Sequence, residues 1–303
     1  MVLKKGLLTL GLALALTGCV LEANSPISSR ASEAQDLVPE TAAVVAFADA
    51  RAVMDNMSSI VALDDSGEAA AAWDQVRAAL GAINMDVERD LDFVVGYADG
   101  GASPVVSAVG SFDLEAIGDY LSEKLPQAKR TDLDGLTVWT MTEGSNQGAF
   151  GITEDGSRLV AAKDTDTIRR ALDVRGGANL AEIAGPAMDN DTWVVARDVG
   201  SFLDKMGYDG SQQELMIRSV ARVAAGGSLT SEQAAGTIVL HPKEGVEADD
   251  LAALMRGLVG AMRLQELPAE ARAELEKIDV ESVDGSVVVT GAVNRDLIES
   301  MIR

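Results

Sequence analysis

Apolar positions along this chain repeat with two periods, and the switches between them mark its elements. Residues 43–48 (Ala-Val-Val-Ala-Phe-Ala) form a β-rich run and predict a strand. Asp49 follows and predicts a helix start, because its side chain can accept from the free backbone N–H groups of a first turn. Residues 68–80 are Ala-rich, with Trp73, Val76 and Leu80 at helical spacing. Residues 91–98 and 104–110 are apolar or alternating around Asp99-Gly100-Gly101, a hairpin signal. A helix is predicted over 113–125, stopped by Pro126. Strands are predicted over 136–141, 149–153 and 158–162, the last two joined by Glu154-Asp155-Gly156-Ser157, with a helix over 165–172.

Much the same plan then recurs. A strand over 192–196 runs into Asp198 and a short helix. Helices are predicted over 212–223, 248–264, 269–278 and 295–302. Strands are predicted over 227–230, 236–240, 280–283 and 287–291, the last two around Asp284-Gly285. At a constant offset of 149, Asp49 meets Asp198, Asp55 meets Asp204 and Met57 meets Met206. At an offset of 129, Asp155-Gly156-Ser157 meets Asp284-Gly285-Ser286, and Ile168 and Leu172 meet Leu297 and Met301. Both matches run in the same order, so an internal duplication is expected. The fold class is α+β: two related units, 39–175 and 190–303, each a mainly antiparallel sheet covered on one face by helices. The boundary is expected between Val174 and Asp191, punctuated by Gly176-Gly177 and Gly185-Pro186.

The beginning of the chain follows a different logic. A basic start with Lys4 and Lys5 precedes an apolar run from Gly6 to Leu16 and then Leu16-Thr17-Gly18-Cys19. That run is shorter than the roughly 17–25 residues that span a bilayer. It is a secretory pattern, and its last four residues resemble the lipobox of bacterial lipoproteins. The resemblance covers residues 1–19 and implies cleavage before Cys19 and lipid on its sulfur. Two or more acyl chains give stable anchoring. Val20 follows the cysteine, where an aspartate tends to retain such proteins at the inner membrane. The resemblance therefore implies the periplasmic face of the outer membrane. Residues 19–38 are expected to be the lipidated cysteine and a polar tether spanning roughly 25 Å.

Composition narrows the partners. The formal net charge is −23, with 48 acidic residues against 25 basic ones. Nucleic-acid binding needs basic stripes, so it is excluded. The acidity also argues against the protein body lying on an anionic lipid surface. Cys19 is the single cysteine, so a lipidated chain holds no disulfide and depends on packing. Aromatic residues make up only 4%, so the core must come from Ala, Val, Leu, Ile and Met.

Little in the chain points to catalysis. His241 is the only histidine, ending an apolar strand before Pro242, which excludes His-rich zinc sites. A lone histidine could serve as a general base, but no GxSxG element supplies a serine nucleophile, so a structural role is expected. Asp49 and Asp198 hold equivalent places in the two copies. They could form a carboxylate pair for catalysis or metal, or simply cap helices. Asp164 and Asp166, Asp189 and Asp191, and Asp249-Asp250 lack the spacing of a calcium loop. The glycine pairs fall in no nucleotide-binding pattern. Residues 248–264 carry Leu251, Leu254, Met255, Leu258, Val259 and Met262, a stripe suited to covering a sheet or lining an apolar groove. No catalytic residue, metal or cofactor is assigned. The expected role is a lipid-anchored envelope protein that binds or scaffolds, with the membrane as one partner and an envelope protein as another. The alternatives are a carrier of an apolar ligand or lipid, and an envelope hydrolase using acidic residues.

Overall fold

The computed structural model describes residues 29–55, 71, 74, 77–78, 80–98, 104–133, 135–143, 146–174, 177–199, 218–230, 232–264 and 269–294. The lipobox, the expected helix over 295–302 and most of the helix expected over 68–80 lie outside them. The chain divides into two compact units, one of residues 29–178 and one containing the residues from 179 onward.

The first unit opens with helix α1 (Ser29–Asp36) and strand β1 (Val44–Asp49). A short helix α2 (Val87–Asp90) leads into β2 (Leu91–Ala98), followed by β3 (Val105–Gly110) and helix α3 (Leu114–Lys124). Strands β4 (Lys129–Leu133), β5 (Leu136–Glu143), β6 (Asn146–Thr153) and β7 (Arg158–Ala162) precede helix α4 (Thr165–Leu172). The spatial order is β1-β2-β3-β7-β6-β5-β4. Every neighbouring pair runs antiparallel. Alternation sets the register, because a one-residue slip would turn Phe93, Val95 and Tyr97 of β2 out of the core.

Helices cover both faces of this sheet, not one as the sequence suggested. Ile168 of α4 packs beside Gly151, Leu136 and Val138. On the opposite face Ile117 and Leu121 of α3 meet Trp139, Phe112 and Ile152. Trp139 stacks on Phe150 at 5.1 Å, with 9° between the rings. The reason is that β5 and β6 bury side chains of both parities, so each face needs its own cover. β4 was not expected. Its sequence, KRTDL, is mostly exposed at the sheet edge and has no apolar alternation to betray it.

The tether reading is corrected for its described part. From Ser29 the chain is helical, and Ala31, Ala34 and Val38 are fully buried. Small side chains at i and i+3 let α1 lie close to the sheet, but they carry too little hydrophobic signal to stand out among polar neighbours.

In the second unit a short helix α5 (Ala181–Ala184) and a 3₁₀ turn (Gly185–Asp189) precede strand β8 (Thr192–Ala196). Leu180, Ala184, Ala187 and Met188 are fully buried. The stretch read as a boundary is therefore mostly part of the second unit. Strands β9 (Val220–Leu229) and β10 (Gln233–Pro242) follow. Helix α6 (Ala248–Arg263), helix α7 (Ala269–Glu276), β11 (Asp279–Val283) and β12 (Ser286–Asn294) complete it. The helix expected over 212–223 is corrected at its end, since Val220–Val223 begins β9; residues 212–217 lie outside the described residues.

The order is β11-β12-β10-β9-β8, again antiparallel throughout. Leu251, Ala252 and Val259 of α6 pack on Val220, Leu240, Val280 and Val287. The other face carries the 3₁₀ turn. There a Cβ on Gly226 would fall 2.0 Å from the Ala187 carbonyl oxygen, so only glycine allows that approach. Asp284 and Gly285 both have positive φ, 48° and 76°, as a two-residue hairpin turn with the strands' own twist requires. Written in chain order, β1, β2, β3, β6 and β7 are arranged as β8, β9, β10, β11 and β12 are. The first unit differs by adding β5 and β4 at the edge.

Candidate functional site

Asp49 closes β1 where the chain turns helical at residues 50–55. Its Oδ1 accepts from the Ala52 backbone N–H at 3.0 Å, an N-cap contact to the third residue of the helix. Arg30 of α1 grips the same carboxylate, donating from Nη1 to Oδ1 at 3.0 Å and Oδ2 at 2.8 Å. Its Nη2 reaches Asp92 Oδ1 at 3.1 Å. The pair is mostly sheltered, with Arg30 and Asp49 side chains 25% and 18% exposed. Hydrogen bonding to Asp49 raises the proton affinity of Arg30 above the ordinary guanidinium range. This cluster ties α1, β1 and β2 together. Both Asp49 oxygens are engaged, one of them twice, in the cap and the ion pair.

Asp198 stands exposed, immediately before residue 199, and the residues from 200 to 217 lie outside the described ones. Cys19 also lies outside them.

His241 is half-buried near the end of β10, beside a register shift at Pro242. Its Nε2 lies 2.7 Å from the Ile183 carbonyl of α5. A carbonyl only accepts, so Nε2–H donates. Ser286, first residue of β12, sits with Oγ 2.9 Å from Nδ1 and donates to it. The ring thus fastens β12 to α5 across the end of β10. A serine beside a histidine invites a nucleophile reading, yet the group orienting the ring is a neutral carbonyl where a triad has a carboxylate. Ser286 was not singled out from sequence, although its place after Asp284-Gly285 was the available signal.

Of the other acidic candidates, Asp164, Asp249 and Asp250 serve the helices they begin. Asp164 Oδ1 accepts from Thr167 N at 2.8 Å and caps α4; that bond and the Thr167 hydroxyl hold its carboxyl below the usual range. Asp249 and Asp250 lie in the first turn of α6, where they complement the helix dipole. Among the described residues no group of three or more His, Cys, Asp and Glu side chains could hold a metal ion. No described helix is long and apolar enough to cross a membrane.

Sequence reasoning missed Arg158, at the start of β7. Its Nη2 donates to Ser107 Oγ at 3.0 Å and to the Ala171 carbonyl at 3.1 Å, while Nε is buried without a partner. Burial pushes the guanidinium down. Its charge is answered by the C-terminal end of α4, which favours a cation. Arg158 therefore anchors α4 to the sheet.

The remaining feature is α6. Its inner face carries Leu251, Ala252 and Val259, while Leu254, Leu258 and Met262 point outward. Arg256 donates to the Val280 carbonyl at 3.0 Å, and Arg263 donates to Leu275 at 2.7 and 2.9 Å. These contacts pin the helix with its apolar outer face in solvent.

The sheets and helices define an α+β protein, and solved structures of the same fold exist. Crystal form I of TP0453 matches with a TM-score of 0.54 at 11% identity, covering 93% of this chain and 98% of that one. Crystal form III matches with a TM-score of 0.54 at 10% identity, covering 93% and 99%. The likeness runs nearly end to end and is one of fold. No protein-family model and no curated protein sequence matches the chain.

Proposed function

We propose that this chain is a lipid-anchored protein of the bacterial cell envelope, held through Cys19, which binds or scaffolds other components and does not catalyse a reaction. The observation that carries the reading is the use made of its chemically versatile side chains. Asp49 spends both carboxylate oxygens on a helix cap and an ion pair, and His241 spends both ring nitrogens on holding α5 and β12. Leu16-Thr17-Gly18-Cys19, with the only cysteine in the chain, supports the anchor, and Val20 in place of an aspartate after it supports an outer-membrane location. Metabolic labelling with a fatty-acid analogue tests it. Label should enter the native chain, disappear in Cys19→Ser, and fractionate with the outer membrane. Label absent from the native chain removes the anchor. Turnover of an envelope substrate, lost in Asp49→Asn with the fold intact, removes the non-catalytic reading.

The two units are proposed to descend from one duplicated unit. Support comes from their common strand order and from Asp-Gly-Ser at the last hairpin of each, in Asp155-Gly156-Ser157 and Asp284-Gly285-Ser286.

A second reading, a carrier of an apolar ligand, is favoured by the exposed apolar face of α6. Native mass spectrometry after gentle extraction tests it, and a chain free of lipid counts against it.

A further inference from the structure

The docking of α1 limits how the first unit can face a membrane. Arg30, near the start of α1, is held by Asp49 at the end of β1 and by Asp92 near the beginning of β2. Asp49 pairs with Phe93, so both carboxylates stand at one end of the sheet. Ala31, Ala34 and Val38 are fully buried, and the chain then enters β1 at Val44, whose partner Ala98 lies at the other end. The helix therefore runs back along β1, with Ser29 at the Asp49 end. That end also carries α2 and the turn after β3, where the Ser111 N–H donates to the Asp90 carbonyl at 2.6 Å. The opposite end holds the start of β3, where Val105 pairs with Tyr97.

Only residues 20–28 separate Cys19 from Ser29. Covalent geometry limits that stretch to about 35 Å, whatever path it takes. A compact unit the size of residues 29–178 has a radius of gyration of about 15 Å and is about 40 Å across. With Ser29 on the side away from a bilayer, the chain would have to pass around half the unit, roughly 60 Å, to reach the lipid. A lipidated Cys19 excludes that orientation, because the stretch is too short. The end it brings toward the bilayer is acidic, with Asp86, Glu88, Asp90 and Asp92 against Arg30 and Arg89. Such a surface is not drawn to anionic headgroups, so the covalent link and not adhesion keeps it near the membrane.

We infer that the first unit faces a phospholipid bilayer with the end of its sheet that carries Asp49, Asp92 and α2, and turns the end with Val44, Ala98 and Val105 away from it. The orientation rests on the lipid anchor at Cys19 proposed above. It needs Arg30 in place, since the contacts with Asp49 and Asp92 hold Ser29 at that end.

Lipidation occupies the sulfur of the only cysteine, so one introduced cysteine takes a fluorophore at one place. Glu88→Cys, exposed in α2, marks the near end, and Pro104→Cys, exposed just before β3, marks the far end. Between them lies β2, whose eight residues span about 25 Å. Full-length lipidated chain is labelled, inserted into preformed phosphatidylcholine vesicles containing a rhodamine-headgroup lipid, and read by energy transfer. With that difference in height, transfer should be about threefold greater for Glu88→Cys than for Pro104→Cys. Inserting about twenty Gly and Ser residues after Asn24 should erase the difference, since the reach then exceeds the path around the unit. Circular dichroism of the labelled chains should match that of the native chain. Equal or reversed transfer in chains that float with the vesicles overturns the orientation and leaves the anchor standing. A difference that survives the long insertion also overturns it, because something other than the short link would then hold the unit. Chains that do not float remove the anchor, and the orientation with it.

Discussion

Substitution of Asp49 separates a structural carboxylate from a catalytic one. Asp49→Ala removes two supports at once. The first is the N-cap to Ala52, whose loss costs about 1 kcal/mol. The second is the two-pronged hydrogen bond from Arg30. A charge-assisted contact contributes about 1.5–3 kcal/mol when well sheltered, and exposed pairs contribute less than about 1 kcal/mol. With side-chain exposures of 25% and 18%, this pair falls between those limits, at about 1–2 kcal/mol. Asp49→Ala should therefore cost about 2–3 kcal/mol. Asp49→Asn keeps the cap, because asparagine serves as well at that position, and should cost about half as much. Arg30→Ala loses the pair and keeps the cap. The assay is urea denaturation followed by circular dichroism, with Arg30→Ala, Asp49→Ala and the double variant closing a cycle. A coupling of about 1 kcal/mol is expected. Equal losses in Asp49→Asn and Asp49→Ala would refute the capping argument, and simple additivity with Arg30→Ala would refute the ion-pair argument.

Other outcomes follow from single contacts. His241→Phe leaves the Ile183 carbonyl without its donor and should cost about 1–3 kcal/mol, whereas Ser286→Ala should cost about 1 kcal/mol; thermal melts that reverse this order would contradict the clamp. Asp155 accepts from the Thr153 hydroxyl and from the Ser157 N–H and hydroxyl, which lower its carboxyl to about 2. That lies below the unfolded value of 3.8, so its contribution to stability is complete above about pH 4 and disappears as the pH falls toward 2. Denaturation midpoints of Asp155→Asn should converge on those of the native chain over that acid range, and a constant gap would exclude the linkage. Gly226→Ala forces a Cβ to 2.0 Å from the Ala187 carbonyl oxygen and should cost about 3 kcal/mol. Gly260→Ala meets nothing within 4 Å inside α6 and should stabilise by about 0.5–1 kcal/mol; urea midpoints check both.

Legibility followed the strength of local pattern. α6 and β12 were readable because an apolar stripe at helical spacing, and a β-branched run after Asp-Gly, carry their signals locally. β4 was not, since its five residues hold their place by backbone pairing with β5. β9 was cut short and its start taken as helix, because Ala221, Ala224 and Ala225 favour a helix by propensity and become strand only between β8 and β10. The candidate sites divide in the same way. Asp49 could be read as a cap from its position alone, while its partner Arg30 lies 19 residues earlier in a segment that looked like tether.

By itself the sequence determined the things that act over a few residues: the strand and helix runs, the cap at Asp49, the hairpin at Asp284-Gly285 and the acidity of the chain. These depend on side-chain alternation, backbone preference and formal charge, which need no distant partner. Tertiary structure alone decided which contacts close across the chain. It placed Arg30 on Asp49, Arg158 under the end of α4, and His241 between Ser286 and Ile183, 45 and 58 residues away. It also decided which side of the apolar helix α6 is core and which remains open. A hydrophobic stripe states that something must be covered, and only the packed fold shows how much of it is.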